Sequence, residues 1–193
     1  MGFMKNGSLH PGGLRLTDRA ARLAGVSDGM KVADVGCGNG ASLVFLKSKY
    51  DISAVGFDVS EEQISAAKTA APGSGIEFVC CGAEGLLYAK DSVDIAFCEC
   101  TLSDVSDPKK ALKQIRGLLH TGGKLVLSDI YAKTSSAAPW TKAELTDMIE
   151  AAGYVTLTVE DHTSALVTYA AERYGSGRTG LGYVLVTAER RDA

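Results

Sequence analysis

Short apolar runs and amphipathic stretches alternate along this chain of 193 residues. Residues 32–35 are apolar but for one acid, Asp34, and read as a short buried strand. Gly36, Gly38 and Gly40 interrupt it, and a helical pattern then runs from Ala41 to Lys49 with Leu43, Phe45 and Leu46 toward a sheet. The cycle repeats. A strand over 53–57 ends at Asp58, and Ser60 caps a helix that Pro72 and Gly73 stop. Strands follow at 76–80 and 93–97. Pro108 opens a helix to Leu119, and the turn His120 to Gly123 leads into a fifth strand over 124–128. Ahead of these, residues 14–24 carry Leu16, Ala20, Leu23 and Ala24 at helical spacing, ended by Gly25.

The last third keeps the alternation. Thr141 and Glu144 make a capping box for a helix to Ala152, which Gly153 terminates. Residues 155–159 alternate as a strand, 164–173 read as a helix, and the segment GSGRTG leads into a final strand over 181–189. Strict strand–helix alternation implies an α/β fold with right-handed crossovers and a mostly parallel sheet covered on both faces. Ligands of such sheets bind beyond the carboxyl ends of the strands.

Length and composition narrow the picture. With 46% apolar and 22% charged residues, the chain suits one domain and leaves no room for a separate substrate domain. A net charge of −3 and an isoelectric point near 5.6 supply no basic stripe, which argues against a nucleic-acid partner. No run is long and apolar enough for a membrane span, and the first residues lack the apolar core of a signal peptide; the expected setting is cytosolic. Five cysteines, an odd number without secretory spacing, imply reduced thiols.

The chemistry concentrates at the glycine turn. Glycines there permit positive φ and let a ligand lie against the main chain, and the following helix offers unpaired N–H groups and a positive dipole end. A dinucleotide fingerprint is met only loosely by Gly36, Gly38 and Ala41. Asp34 would attract a cationic amino group and repel a pyrophosphate. An acid ending the second strand, here Asp58, can take both hydroxyls of a ribose. Adenosine joined to an amino acid fits better than two phosphates.

Four stretches in this order, the Asp34/Gly36/Gly38/Gly40 motif, VGFDVS around Asp58, CCGAEGLLYAKDSVDIAF and PKKALKQIRGLLHTGGKLVLSD, resemble the class I S-adenosylmethionine-dependent methyltransferases from about residue 14 to about residue 152. The small-molecule enzymes of the ubiquinone-biosynthesis and arsenite type look nearest. The resemblance implies a Rossmann-like three-layer sandwich with a seven-stranded, mostly parallel sheet and an antiparallel last strand between the fifth and sixth. It implies S-adenosylmethionine as cofactor, S-adenosylhomocysteine as product and a small-molecule acceptor. Within one methyltransferase domain, 1–24 would lie over the cofactor site, 31–130 would hold the cofactor and 131–193 would form the substrate side.

The same resemblance assigns roles to residues. Gly36, Cys37 and Gly38 would line the methionine part with Asp34 near its amino group, Asp58 would hold the ribose, and Val59 would pack on the adenine. The usual adenine-binding aspartate is replaced by Gly82, leaving the N–H of Ala83 and the carboxylate of Glu84. The loop after the fourth strand would meet both donor and acceptor. Glu99 is expected beside the cofactor and, with Asp104 and Asp129, among loop acids that could act as bases; Cys100 and Asp129 are the catalytic candidates. All five cysteines are expected at the carboxyl edge of the sheet, where thiolates could bind a soft metalloid or be methylated, although no metal site is expected. Tyr131, Trp140, Tyr169 and Tyr174 lie in segments that could roof the acceptor. The alternatives are a binding protein or subunit without catalysis, and a thiol or arsenite-type methyltransferase.

Overall fold

The computed structural model describes residues 10–86, 88–133, 139–175 and 180–192. Thirteen elements follow in order: α1 Gly13–Ala24, β1 Lys31–Val35, α2 Ala41–Lys49, β2 Ser53–Asp58, α3 Glu61–Ala70, β3 Glu77–Cys80, β4 Val93–Glu99, α4 Pro108–Leu118, β5 Leu119–Ala132, α5 Lys142–Ala151, β6 Tyr154–Asp161, α6 Thr163–Tyr174 and β7 Leu181–Arg190. The strands form one sheet in the order β3-β2-β1-β4-β5-β7-β6. Only β7 runs against its neighbours, between β5 and β6, as the resemblance implied.

Two apolar layers sandwich the sheet. Leu112, Ile115, Leu145 and Ile149 from α4 and α5 pack on one face with Phe57, Leu127 and Val186. Leu16, Leu43, Leu46, Ile64 and Leu166 from α1, α2, α3 and α6 pack on the other with Val32, Phe97 and Tyr183. Central strands β1 and β4 are buried on both faces, which is why they read as nearly unbroken apolar runs. Phe45, expected toward the sheet, is only half-buried and lies under the Lys49 ammonium, whereas Ser42 turns inward.

Local signals set several boundaries. The Ser60 hydroxyl accepts the Gln63 N–H and starts α3; Thr141 and Glu144 exchange both bonds of a capping box at α5. The fifth strand departs from expectation. Instead of beginning after a turn at 120–123, β5 starts at Leu119, paired with Val93, and the glycines make an irregularity within the strand before pairing resumes at Ile95 and Lys124. Residues 176–179 of the GSGRTG segment lie outside the described residues.

Strand β6 alternates as expected but shows the apolar set outward. Val155, Leu157 and Val159 are 38%, 43% and 42% exposed, while Thr158 bonds Thr187 on the inner side at 2.7 Å. Among the described residues no helix is long and apolar enough to cross a membrane.

Candidate active site

The carboxyl ends of β1, β2, β4 and β5 open onto one cavity of about 1030 Å³. Asp34, Gly36, Cys37, Gly38, Asp58, Val59, Ala83, Glu84, Glu99, Cys100 and Asp129 all line it, so the structure gathers the residues expected to bind the cofactor or act in catalysis. They do not hold the same kind of position.

The glycine turn is held from below. The N–H groups of Gly36 and Cys37 both donate to the Phe57 carbonyl, at 2.7 and 2.9 Å. Gly36 has φ +81°, and a Cβ there would overlap the Thr101 side chain, so this glycine admits the loop after β4 rather than a ligand. Gly38, at φ +52°, has only Gln63 near, at 3.8 Å, and leaves the main chain open to the cavity. Asp58 ties the turn to α3: Oδ2 accepts the Gly38 N–H at 2.8 Å and Oδ1 the Ser60 N–H at 2.9 Å. A carboxylate has about four lone-pair sites, which leaves Asp58 able to accept two more bonds from the cavity side.

Asp34 is 3% exposed. Burial, then the carboxylates of Glu99 and Asp58, push its carboxyl well above the usual range, and no hydrogen bond from a described residue offsets them. This is a buried, unpartnered acid facing a cavity.

Glu99 and Asp129 are not loop acids: Glu99 is the last residue of β4 and Asp129 lies within β5. The Glu99 carboxylate accepts from Thr17 at 3.0 Å and Ser42 at 3.2 Å, and His10 Nε2 stands 3.1 Å from Thr17 Oγ1 and 3.4 Å from Glu99 Oε2. Helix α1 and His10 are thereby tied to Glu99 at the end of β4. Asp129 is fully buried and accepts from the Ser103 N–H at 2.9 Å, the Ser103 hydroxyl at 2.7 Å and the Ile130 N–H at 2.7 Å. Burial raises its pKa against those bonds. Its occupied oxygens make it an anchor for the turn at Leu102–Asp104 rather than a free base. Of the three acids, only Asp104 is on an exposed turn.

Cys100 takes φ +52°, unusual for a residue with a side chain, and its N–H donates to the Ser128 carbonyl at 2.7 Å. Its thiol lies 3.1 Å from the Tyr183 hydroxyl, which donates to Ser128 at 3.0 Å. Burial first, then Asp129, push the Cys100 thiol upward, so it is not a thiolate at neutral pH. Cys37 and Cys98 are pushed the same way by burial. All five cysteines lie at carboxyl ends of strands, as expected, and Cys37, Cys81 and Cys100 line the cavity, whereas Cys98 sits in the core and Cys80 is exposed. Among the described residues, no group of three or more histidine, cysteine, aspartate or glutamate side chains could hold a metal ion.

The remaining positions bear on a base and an acceptor. Val59 is 76% exposed at the cavity mouth, on the side of Gly82. The Glu84 carboxylate accepts the Asp107 N–H ahead of α4, so it is engaged away from the adenine position expected for it. Of the four aromatics, Tyr169 and Tyr174 line the cavity. Trp140 is in the core, donating to the Ile130 carbonyl at 2.9 Å, and Tyr131 donates to Asp161. Residues 134–138, also expected to frame the acceptor, lie outside the described residues. Sequence reasoning had the segment from His10 to Thr17 as a cover but not its bonds to Glu99, and missed Ser42, Ser103 and Tyr183.

Comparison with known proteins agrees with this geometry. A family model described as a methyltransferase domain matches residues 26–171. Phosphoethanolamine N-methyltransferase 1 of Arabidopsis thaliana is 29% identical over 150 residues, covering 77% of this chain and 30% of the plant enzyme. The chain thus spans about a third of that relative. Among solved structures, geranyl diphosphate methyltransferase in complex with SAM superposes with a TM-score of 0.82 at 18% identity, over 92% of this chain and 85% of that one. The cyclase SpnF superposes with a TM-score of 0.80 at 23% identity, over 93% and 82%. These two likenesses show the fold alone; a cyclase shares it.

Proposed function

The chain belongs to the methyltransferase-domain family, and from that premise we propose that it transfers the methyl group of S-adenosylmethionine to a small-molecule acceptor. Asp34 carries the reading. A buried carboxyl with no hydrogen-bond partner among the described residues, near two more carboxylates, is either held protonated or ionised beside a cation, and the α-amino group of an amino-acid cofactor supplies that cation.

The other residues fit the same occupant. Open main chain at Gly38 receives the methionine part, the free lone pairs of Asp58 take the ribose hydroxyls, and Val59 with the Ala83 N–H receives the adenine. When bound, S-adenosylmethionine supplies a methyl carbon on a sulfonium; the acceptor's lone pair forms the new bond as the carbon–sulfur pair returns to sulfur, leaving S-adenosylhomocysteine. The protein's part is to hold acceptor and methyl in line, within about 3–3.5 Å, and to exclude water. Thr101, Ser103 and Asp104 line the cavity, and Asp129 holds their turn through Ser103. The similar proteins are named for acceptors such as phosphoethanolamine and geranyl diphosphate, which are small molecules, and a small-molecule acceptor is all that is carried over from them. We read residues 1–193 as one cytosolic unit, with 1–24 over the cofactor, 31–130 holding it and 131–193 on the acceptor side.

Titration calorimetry with S-adenosylmethionine, S-adenosylhomocysteine and NAD tests the reading. Binding of both adenosyl compounds, weakened at least about tenfold by Asp34→Asn, is expected. A folded protein that binds neither, or that prefers NAD, sinks it.

A further inference from the structure

The described wall of the cavity is charged in one sense only. Asp34, Asp58, Glu84, Glu99, Asp104 and Asp129 all face the cavity, and among the described lining residues there is no lysine or arginine. The one lining group able to carry positive charge, His10, is held against Thr17 and Glu99. Arg173, outside the lining, is exposed and stacks on the Tyr169 ring at 5.4 Å, and Arg178 lies outside the described residues. Other basic groups are committed elsewhere, Arg190 to Asp91 and Asp192 and Arg116 to Asp192.

A phosphate monoester or diphosphate is recognised by arginine or lysine forks, by a bridging metal or by a helix N-terminus. The first is lacking among the described lining residues, and no described group of side chains could hold the second. A helix N-terminus is present, at Gly40, but it faces the glycine turn where the cofactor's own carboxylate would lie. The acceptor side sets the exposed carboxylate of Asp104, Asp129 being filled by Ser103 and Ile130, near the rings of Tyr169 and Tyr174 and the side chains of Ile130 and Leu166. Carboxylates beside aromatic faces suit an ammonium group on an apolar body.

We propose that this site refuses phosphorylated and carboxylated acceptors and takes a small amphiphilic molecule, an amine bound as its ammonium form being the best-matched head group, with Asp104 taking the proton whose loss frees the nitrogen lone pair for the methyl group. The inference rests on the methyltransferase reading, and the test keeps the two apart.

S-adenosylhomocysteine is titrated first, and the saturated protein then receives hexylamine, hexanol, hexanoate and hexyl phosphate, with and without magnesium. The expected order is amine, alcohol, then both anions, with hexylamine at least about tenfold tighter than hexyl phosphate. Asp104→Lys, at an exposed turn position, is expected to narrow or reverse that order. Hexyl phosphate equal to or tighter than hexylamine, with or without magnesium, overturns the proposal. So does a ranking that Asp104→Lys leaves unchanged, or binding of none of the four. If S-adenosylhomocysteine itself does not bind, the failure belongs to the cofactor reading.

Discussion

Asp34 costs the empty protein stability and earns its place only when a cation arrives. Its carboxyl is raised above the unfolded value, so the native state binds more protons than the unfolded one between the two pKa values, and stability falls as pH rises through that window. Without ligand at neutral pH, Asp34→Asn is therefore expected to melt a few degrees higher than the parent, each kcal/mol being about 2–4 °C in a domain of this size. The gap should close toward acid pH. A lower melting temperature in the variant would mean that the carboxylate has a partner in the empty protein. Asp34, Gly36, Gly38 and Asp58 were legible because one strand, one turn and the next strand end fix their spacing. Thr17, Ser42, Ser103 and Tyr183 were not. Each is an ordinary polar or aromatic side chain whose partner lies tens of residues away, as Thr17 and Glu99 do, and no local pattern announces such a meeting.

At the level of elements, the turn at Leu102–Asp104 matters more than its length suggests, since Ser103 carries two of the three hydrogen bonds that fill Asp129. Ser103→Ala removes the hydroxyl bond to a buried carboxylate, and a loss of about 1–3 kcal/mol in denaturant unfolding is expected. Binding of S-adenosylhomocysteine should change little, while acceptor affinity falls; equal losses of both would place Ser103 on the cofactor side instead. Alternation made the strands and helices readable, and capping residues fixed α3 and α5. What misled was the double meaning of glycine. Gly122 and Gly123 read as punctuation, yet Gly123 sits where a Cβ would press on the carbonyls of His120 and Asp94, so the pair bends a strand without ending it. In β6 the period was correct, but the face was not, because the apolar residues Val155, Leu157 and Val159 stand on the exposed side and Thr156 and Thr158 on the inner one.

For the molecule as a whole, α/β architecture and parallel sheet followed from the order of elements, whereas the place of β7 followed only from the family resemblance. That place has a physical reason: β7 is buried almost end to end and would be a poor edge, while β6 carries threonines and acids suited to one. A chain ending at residue 180 keeps β6 in sequence but removes the partner that joins it to β5. Such a truncation is expected to lose cooperative unfolding and near-ultraviolet circular dichroism; a native-like melt would show that β6 can dock on β5 unaided. A growing chain meets the same situation in time. The ribosome delivers β6 before β7, so the sheet waits with a gap in its interior, and the flank of β5 stays open until nearly the last described residues have emerged.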